Sequence, residues 1–81
     1  MKILKFYTET CMPCRMVGKI LESMNLAVDS INAMKSIDKV DEYSVCTTPT
    51  LVFLGDDNKE FARTTGPVTK AQIQKIIDEN S

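Results

Sequence analysis

Two cysteines, Cys11 and Cys14, enclose a Met12-Pro13 pair between two segments of different apolar period. Before them, residues 2–7 carry Ile3, Leu4, Phe6 and Tyr7. Apolar groups on both faces of an extended chain suit a buried strand of a parallel or mixed sheet. Lys5 is the discordant residue in that run. After them, Met16, Val17, Ile20, Leu21 and Met24 form the stripe of an amphipathic helix, with Arg15, Lys19, Glu22 and Ser23 on the other face. Thr8 to Thr10 make a short loop. Pro13 falls in the first helical turn, where its missing N–H costs nothing, and Asn25 reads as the C-terminal stop. A dithiol at a strand-to-helix junction is the sequence form of a redox site.

The remaining chain alternates in the same way. Leu26, Ala27, Val28 and Ile31 read as a second strand. Residues 34–43 place Met34, Ile37 and Val40 near helical spacing. Thr47-Thr48-Pro49-Thr50 breaks that pattern, and Leu51-Val52-Phe53-Leu54 follows with strand character and strand length. Gly55-Asp56-Asp57-Asn58 is a turn signal. Residues 59–64 alternate, with Phe61 and Arg63 on one face and Ala62 and Thr64 on the other, which predicts an antiparallel hairpin. Gly66-Pro67 ends the strand. Thr69 with Gln72 is a capping box, opening a helix with Ile73, Ile76 and Ile77 on one face. The order is strand, helix, strand, helix, strand, strand, helix. It predicts an α/β fold with a four-stranded mixed sheet flanked by three helices: a parallel pair through a right-handed crossover, then antiparallel strands. Met16, Met24 and Met34 fall on apolar stripes and read as core.

Composition narrows the function classes. At 81 residues the chain reads as a single domain, residues 1–81, near the lower limit for a single core. Its net charge is −1, with acids and bases interleaved, so a nucleic-acid partner has no electrostatic footprint. No apolar run approaches the ~20 residues of a membrane-spanning helix. The N-terminus lacks the ~7–15-residue apolar stretch of a signal peptide, which points to the cytoplasm. Three cysteines is an odd count for a secreted disulfide scaffold.

The attacking species in disulfide exchange is a thiolate. A helix N-terminus favours an anion through its unpaired N–H groups and its dipole. Cys11, just before the helix, is therefore the expected nucleophile. Cys14, one turn on, can reach back and resolve a mixed disulfide. Two blander readings compete. A structural disulfide closing so short a loop constrains the unfolded chain little. A metal half-site lacks ligands, since zinc usually takes four and the chain has no histidine and only Cys46 besides. No metal is expected.

Three segments resemble the thioredoxin and glutaredoxin superfamily. Phe6 to Val17, with its Cys-x-Pro-Cys order, is similar to the active-site strand, loop and helix of thioredoxins. Thr48-Pro49-Thr50-Leu51-Val52-Phe53-Leu54 is similar to the strand introduced by a cis-proline. Gly66 with the helix from Thr69 resembles the closing segment, and Tyr43-Ser44-Val45 a similar aromatic turn. The resemblance implies a minimal thioredoxin fold and a cis Thr48–Pro49 bond beside the dithiol. It implies catalytic Cys11 and Cys14, and a substrate surface of Met12, Pro13, Thr48, Pro49 and Gly66. Thr48 would pair strand-like with a substrate chain, and Gly66 would let it approach closely. The implied activity is thiol–disulfide exchange with client proteins by a monomer. Electrons would come from a thioredoxin-reductase-type donor, with ribonucleotide reductase among the acceptors. No cofactor is needed beyond the Cys11–Cys14 pair. The alternative is a non-catalytic binding module on the same platform, holding a partner peptide or a thiol-bound metal.

The chain departs from the superfamily pattern at identifiable residues. Thr10 stands where thioredoxins carry tryptophan, and Lys5 where they carry a buried acid. Gly66-Pro67-Val68-Thr69 lacks the glutathione-binding pattern of glutaredoxins. Cys46, three residues before Pro49, reads as a semi-exposed small residue at the active-site end.

Overall fold

A computed structural model describes residues 1–80; Ser81, the last residue of the expected domain, lies outside the described residues. Seven elements follow in the expected order: β1 (Lys2–Tyr7), α1 (Met12–Ser23), β2 (Val28–Asn32), α2 (Ile37–Glu42), β3 (Thr50–Leu54), β4 (Glu60–Thr65) and α3 (Lys70–Glu79). The strands form one sheet in the order β2-β1-β3-β4. β1 and β2 are parallel, and β3 is antiparallel to both β1 and β4.

The centre of the sheet explains the continuous apolar run of β3, which is buried at every position. Leu51 and Phe53 join Ile3, Val17, Leu21 and Ile73 in one cluster, beneath α1 and α3. Val52 and Leu54 join Leu4 and Phe6 in a second, on the opposite face, with Val40 of α2, Tyr43 and Val45 packed against it. β1 obeys the same two-residue alternation, so Ile3, Lys5 and Tyr7 share the α1 face.

Local chemistry sets the helix ends. Cys11 is the N-cap of α1, in extended conformation, and Pro13 sits in its first turn. Asn25 follows the C-cap at φ 53°, in the left-handed region that asparagine tolerates. Thr69 and Gln72 form both halves of the expected capping box.

Four local expectations are corrected. The second strand begins at Val28 rather than Leu26, because pairing with β1 starts at Ile3 opposite Val28. The second helix is confined to Ile37–Glu42. Residues 33–35 instead wrap in a turn closed on Asn32, whose side-chain oxygen accepts the Met34 N–H at 3.0 Å. Met34 is therefore not core, at 74% exposed, and neither is Met16, at 66%. On α1 the buried residues are Cys14, Val17 and Leu21, and Met16 lies off that line. In β4 the register shifts so that Phe53 faces Ala62 while Leu54 faces Glu60. Phe61 is the extra residue of this bulge. Phe61 and Ala62 then both pack on the α1/α3 cluster, and the expected strict alternation fails there.

Phe53 is fully buried, so Phe53→Ala should lower the unfolding free energy by ~3–5 kcal/mol. Thr69→Ala should cost ~1 kcal/mol through the lost cap, and Thr69→Ser much less. Urea titrations of the oxidised protein measure both. Equal midpoints for Thr69→Ala and the wild type would contradict the capping role.

Candidate active site

The site is built at the end of the sheet where β1 finishes. The chain leaves Tyr7, turns so that the Cys11 N–H donates to the Thr8 carbonyl at 3.2 Å, and enters α1. Cys11 and Cys14 are joined in a disulfide, with Cα atoms 5.2 Å apart. The Cys14 N–H donates to Cys11 Sγ at 3.2 Å. The first sulfur thus takes the place that a serine or aspartate oxygen takes in an ordinary N-cap. A thiolate there accepts a charge-assisted hydrogen bond and meets the positive end of the helix dipole.

The two sulfurs differ in access. Cys14 is only 3% exposed, whereas Cys11 is half-buried. Met12, between them, is 64% exposed and stands out from the surface. Pro13 is half-buried.

The remaining expected site residues lie at the same end of the sheet. Thr50, at the start of β3, pairs with Phe6 near the end of β1. The Thr48–Pro49 bond immediately before it is cis. Pro49 is buried, and its carbonyl accepts the Gly66 N–H at 2.8 Å. Gly66 has φ 75°, and a Cβ there would meet no heavy atom within 4 Å. The left-handed backbone thus favours glycine, and open space lies beside it. Two small clefts flank the loop after β1, and the second of them reaches Cys14. One, about 310 Å³, is lined by Thr8, Glu9, Thr10, Asn32, Met34 and Lys35. The other, about 200 Å³, is lined by Lys5, Tyr7, Thr8, Glu9, Cys14 and Arg15. A larger cleft of about 790 Å³ runs along the β2 edge and contains no cysteine.

Electrostatics around the site are mixed. Glu9 accepts from Asn32 at 3.5 Å and pairs with Lys35 at 3.7 Å, while Arg15 reaches the Glu9 carbonyl at 3.4 Å. Cys46 is exposed, its Sγ 3.8 Å from the Ser44 carbonyl. Arg63 escapes a reading of sequence pattern. It donates to the Tyr43 carbonyl at 2.7 Å, tying β4 to the segment that leads to Pro49. A hydrogen bond from Arg63 holds the Glu60 carboxyl below its ordinary range. The arginine lies 20 positions from Tyr43, so no local spacing announces the contact.

Comparison with known proteins agrees with this geometry. The thioredoxin family profile matches residues 1–79. A thioredoxin of Chlamydia caviae is 33% identical over 84 residues, covering 98% of this chain and 81% of that protein. A thioredoxin of Chlamydia trachomatis is 31% identical, covering 96% and 80%. Among solved structures, Fasciola hepatica thioredoxin superposes with a TM-score of 0.86 at 22% identity, covering 99% of this chain and 80% of that one. A mutant thioredoxin of Halobacterium salinarum gives 0.88 at 23% identity, covering 96% and 72%.

In the reduced protein, iodoacetamide near neutral pH should alkylate Cys11 well before Cys14, read by peptide mass spectrometry that separates both from Cys46. Faster labelling of Cys14 would reverse the two roles.

Proposed function

The chain belongs to the thioredoxin family of thiol–disulfide oxidoreductases, and on that premise we propose that it reduces disulfides in client proteins as an electron carrier. The observation that carries the reading is the asymmetry of the dithiol: an accessible sulfur capping α1 and a buried one a turn below it.

Reduced Cys11 attacks a client sulfur as thiolate. One client sulfur leaves as a thiolate, and the other is held on Cys11 as a mixed disulfide. Cys14 then attacks Cys11 Sγ, the Cys11–client bond breaks, and the Cys11–Cys14 disulfide forms. Two electrons pass to the client, and its two leaving sulfurs take up protons from water. The client segment next to its disulfide lies against Met12 and Pro13, pairs strand-like with the Thr48 backbone, and passes Gly66, where no side chain obstructs it. Pro49 closes the wall on that side. The sulfurs carry the electron pair, so the reaction calls for no further cofactor. A reductase of the thioredoxin-reductase type recharges the protein in a reducing compartment such as the cytoplasm. Ribonucleotide reductase is one acceptor of suitable chemistry, and the working form is a monomer.

Turbidimetric insulin reduction tests the proposal. Wild type with a dithiol reductant should accelerate it. Cys11→Ser should abolish the acceleration, and Cys14→Ser should accumulate a mixed disulfide. Activity that survives Cys11→Ser would sink the nucleophile assignment. An inactive wild type that binds a peptide stoichiometrically would establish a binding module instead. The dithiol's potential sets direction: a value near about −270 mV marks a reductant and one near about −120 mV an oxidant.

A further inference from the structure

Lys5 occupies the middle of β1 on the face covered by α1, among residues that are otherwise apolar core. Its side chain does not simply run out to solvent. Its Nζ lies 2.9 Å from where a Cβ on Gly18 would stand. Gly18 is in the interior of α1, four residues after Cys14 and so on the same side of the helix. Glycine there is a poorer helix former than alanine. The missing side chain leaves a notch, and the ammonium fills it.

Lys5 lines two clefts beside the helix. One contains Cys14 together with Tyr7, Thr8, Glu9 and Arg15. The other contains Gly18, Leu21, Glu22, Leu26, Val28 and Ser30. Charged and titratable groups facing Lys5 are therefore Tyr7 from its own strand, Glu9 from the following loop, and Cys14, Arg15 and Glu22 from α1. The Tyr7 ring centroid is 5.4 Å from Nζ. Glu9 is engaged by Lys35 and Asn32. Among the described residues Lys5 has no ion pair, so its charge is not spent on a carboxylate.

We infer that Lys5, seated in the Gly18 notch, is a positioning residue that favours the thiolate of Cys14 in the reduced protein. The inference rests on the dithiol-exchange reading and names the group that readies its second step. Cys14 gives its proton to water through the open cleft. The thiolate attacks Cys11 Sγ, the new S–S bond forms as the Cys11–client bond breaks, and the client sulfur takes up a proton. Lys5 stays charged throughout and transfers nothing. An opposite charge close by shifts a thiol's ionisation by about one pH unit or more. One unit changes the thiolate fraction at neutral pH about tenfold. Intrinsic nucleophilicity moves the other way by about threefold per unit, so the net effect on rate is about threefold.

The test follows the ¹³Cβ shift of Cys14 in the reduced protein against pH, in wild type, Lys5→Met, Lys5→Arg and Gly18→Ala. The Cys14 midpoint should rise by about one unit in Lys5→Met and return close to the wild-type value in Lys5→Arg. In Gly18→Ala, where the added Cβ displaces the ammonium, it should rise by less. An unchanged midpoint in folded Lys5→Met overturns the inference; should that variant not fold, an unchanged midpoint in Gly18→Ala does so. Resolution of a preformed mixed disulfide adds a signature that structural damage would not give. Lys5→Met should be about threefold slower at neutral pH and no slower at a pH where Cys14 is fully ionised in both proteins. Slowing at every pH would mark a merely structural role and overturn the inference. The titration uses free reduced protein without a client. It therefore stands or falls separately from insulin reduction, which tests the exchange reading itself.

Discussion

Five consecutive residues, Thr50 to Leu54, are removed from water on both faces of the sheet. A strand of that kind requires covering layers above and below it, and neighbours on both edges to take its backbone hydrogen bonds. β1 and β4 supply the edges, while α1 and α3 cover one face and α2 with Tyr43 and Val45 the other. The placement of the chemistry follows from this arrangement. Because β3 is antiparallel to β1, its first residue lies beside the last residues of β1. The segment before β3 and the segment after β1 must then meet at one end, and these carry Thr48–Pro49 and Cys11–Cys14.

Within that end, the difference in access between the two sulfurs comes from helix geometry. A cap residue stands outside the helix cylinder and the third residue after it lies one turn in. Cys11 is therefore reachable, while Cys14 is pressed against the core next to Val17 and Leu21. Lys5 brings a charged side chain to the cleft that Cys14 also lines. It is tolerated in the α1 face because Gly18 yields the space and Tyr7 offers a ring face.

Much of this was legible in the residues, for reasons that are local. The capping box of Thr69 and Gln72, the stop at Asn25, the turn at Gly55 to Asn58 and the run of Leu51 to Leu54 each depend on a few neighbouring positions. The cis bond at Thr48–Pro49 came from resemblance, since no local rule separates it from a trans turn. What failed depended on partners far along the chain or on phase. Met16 matches an apolar period, but the buried face of α1 was set by Cys14, Val17, Leu21 and the sheet beneath them; Met34 falls in a turn. Asn32 captured the turn that periodicity assigned to a helix. Phe61 joined the core through a bulge, which shifts alternation by one residue without any glycine or proline to mark it. The contact of Arg63 with the Tyr43 carbonyl and the fit of Lys5 to Gly18 exist only once distant segments are packed.

The sulfur of Cys11 is both a reagent and the cap of the helix that holds it. An anionic sulfur is a stronger hydrogen-bond acceptor than a neutral one. The first turn of α1 is therefore fastened more firmly when Cys11 is a free thiolate than when that sulfur is bound to another. The redox state of the pair is thereby coupled to the hydrogen bond that opens α1. Oxidation adds a covalent link across the turn and weakens the cap, and reduction removes the link and strengthens the cap. The two changes act in opposite directions on the first turn of α1.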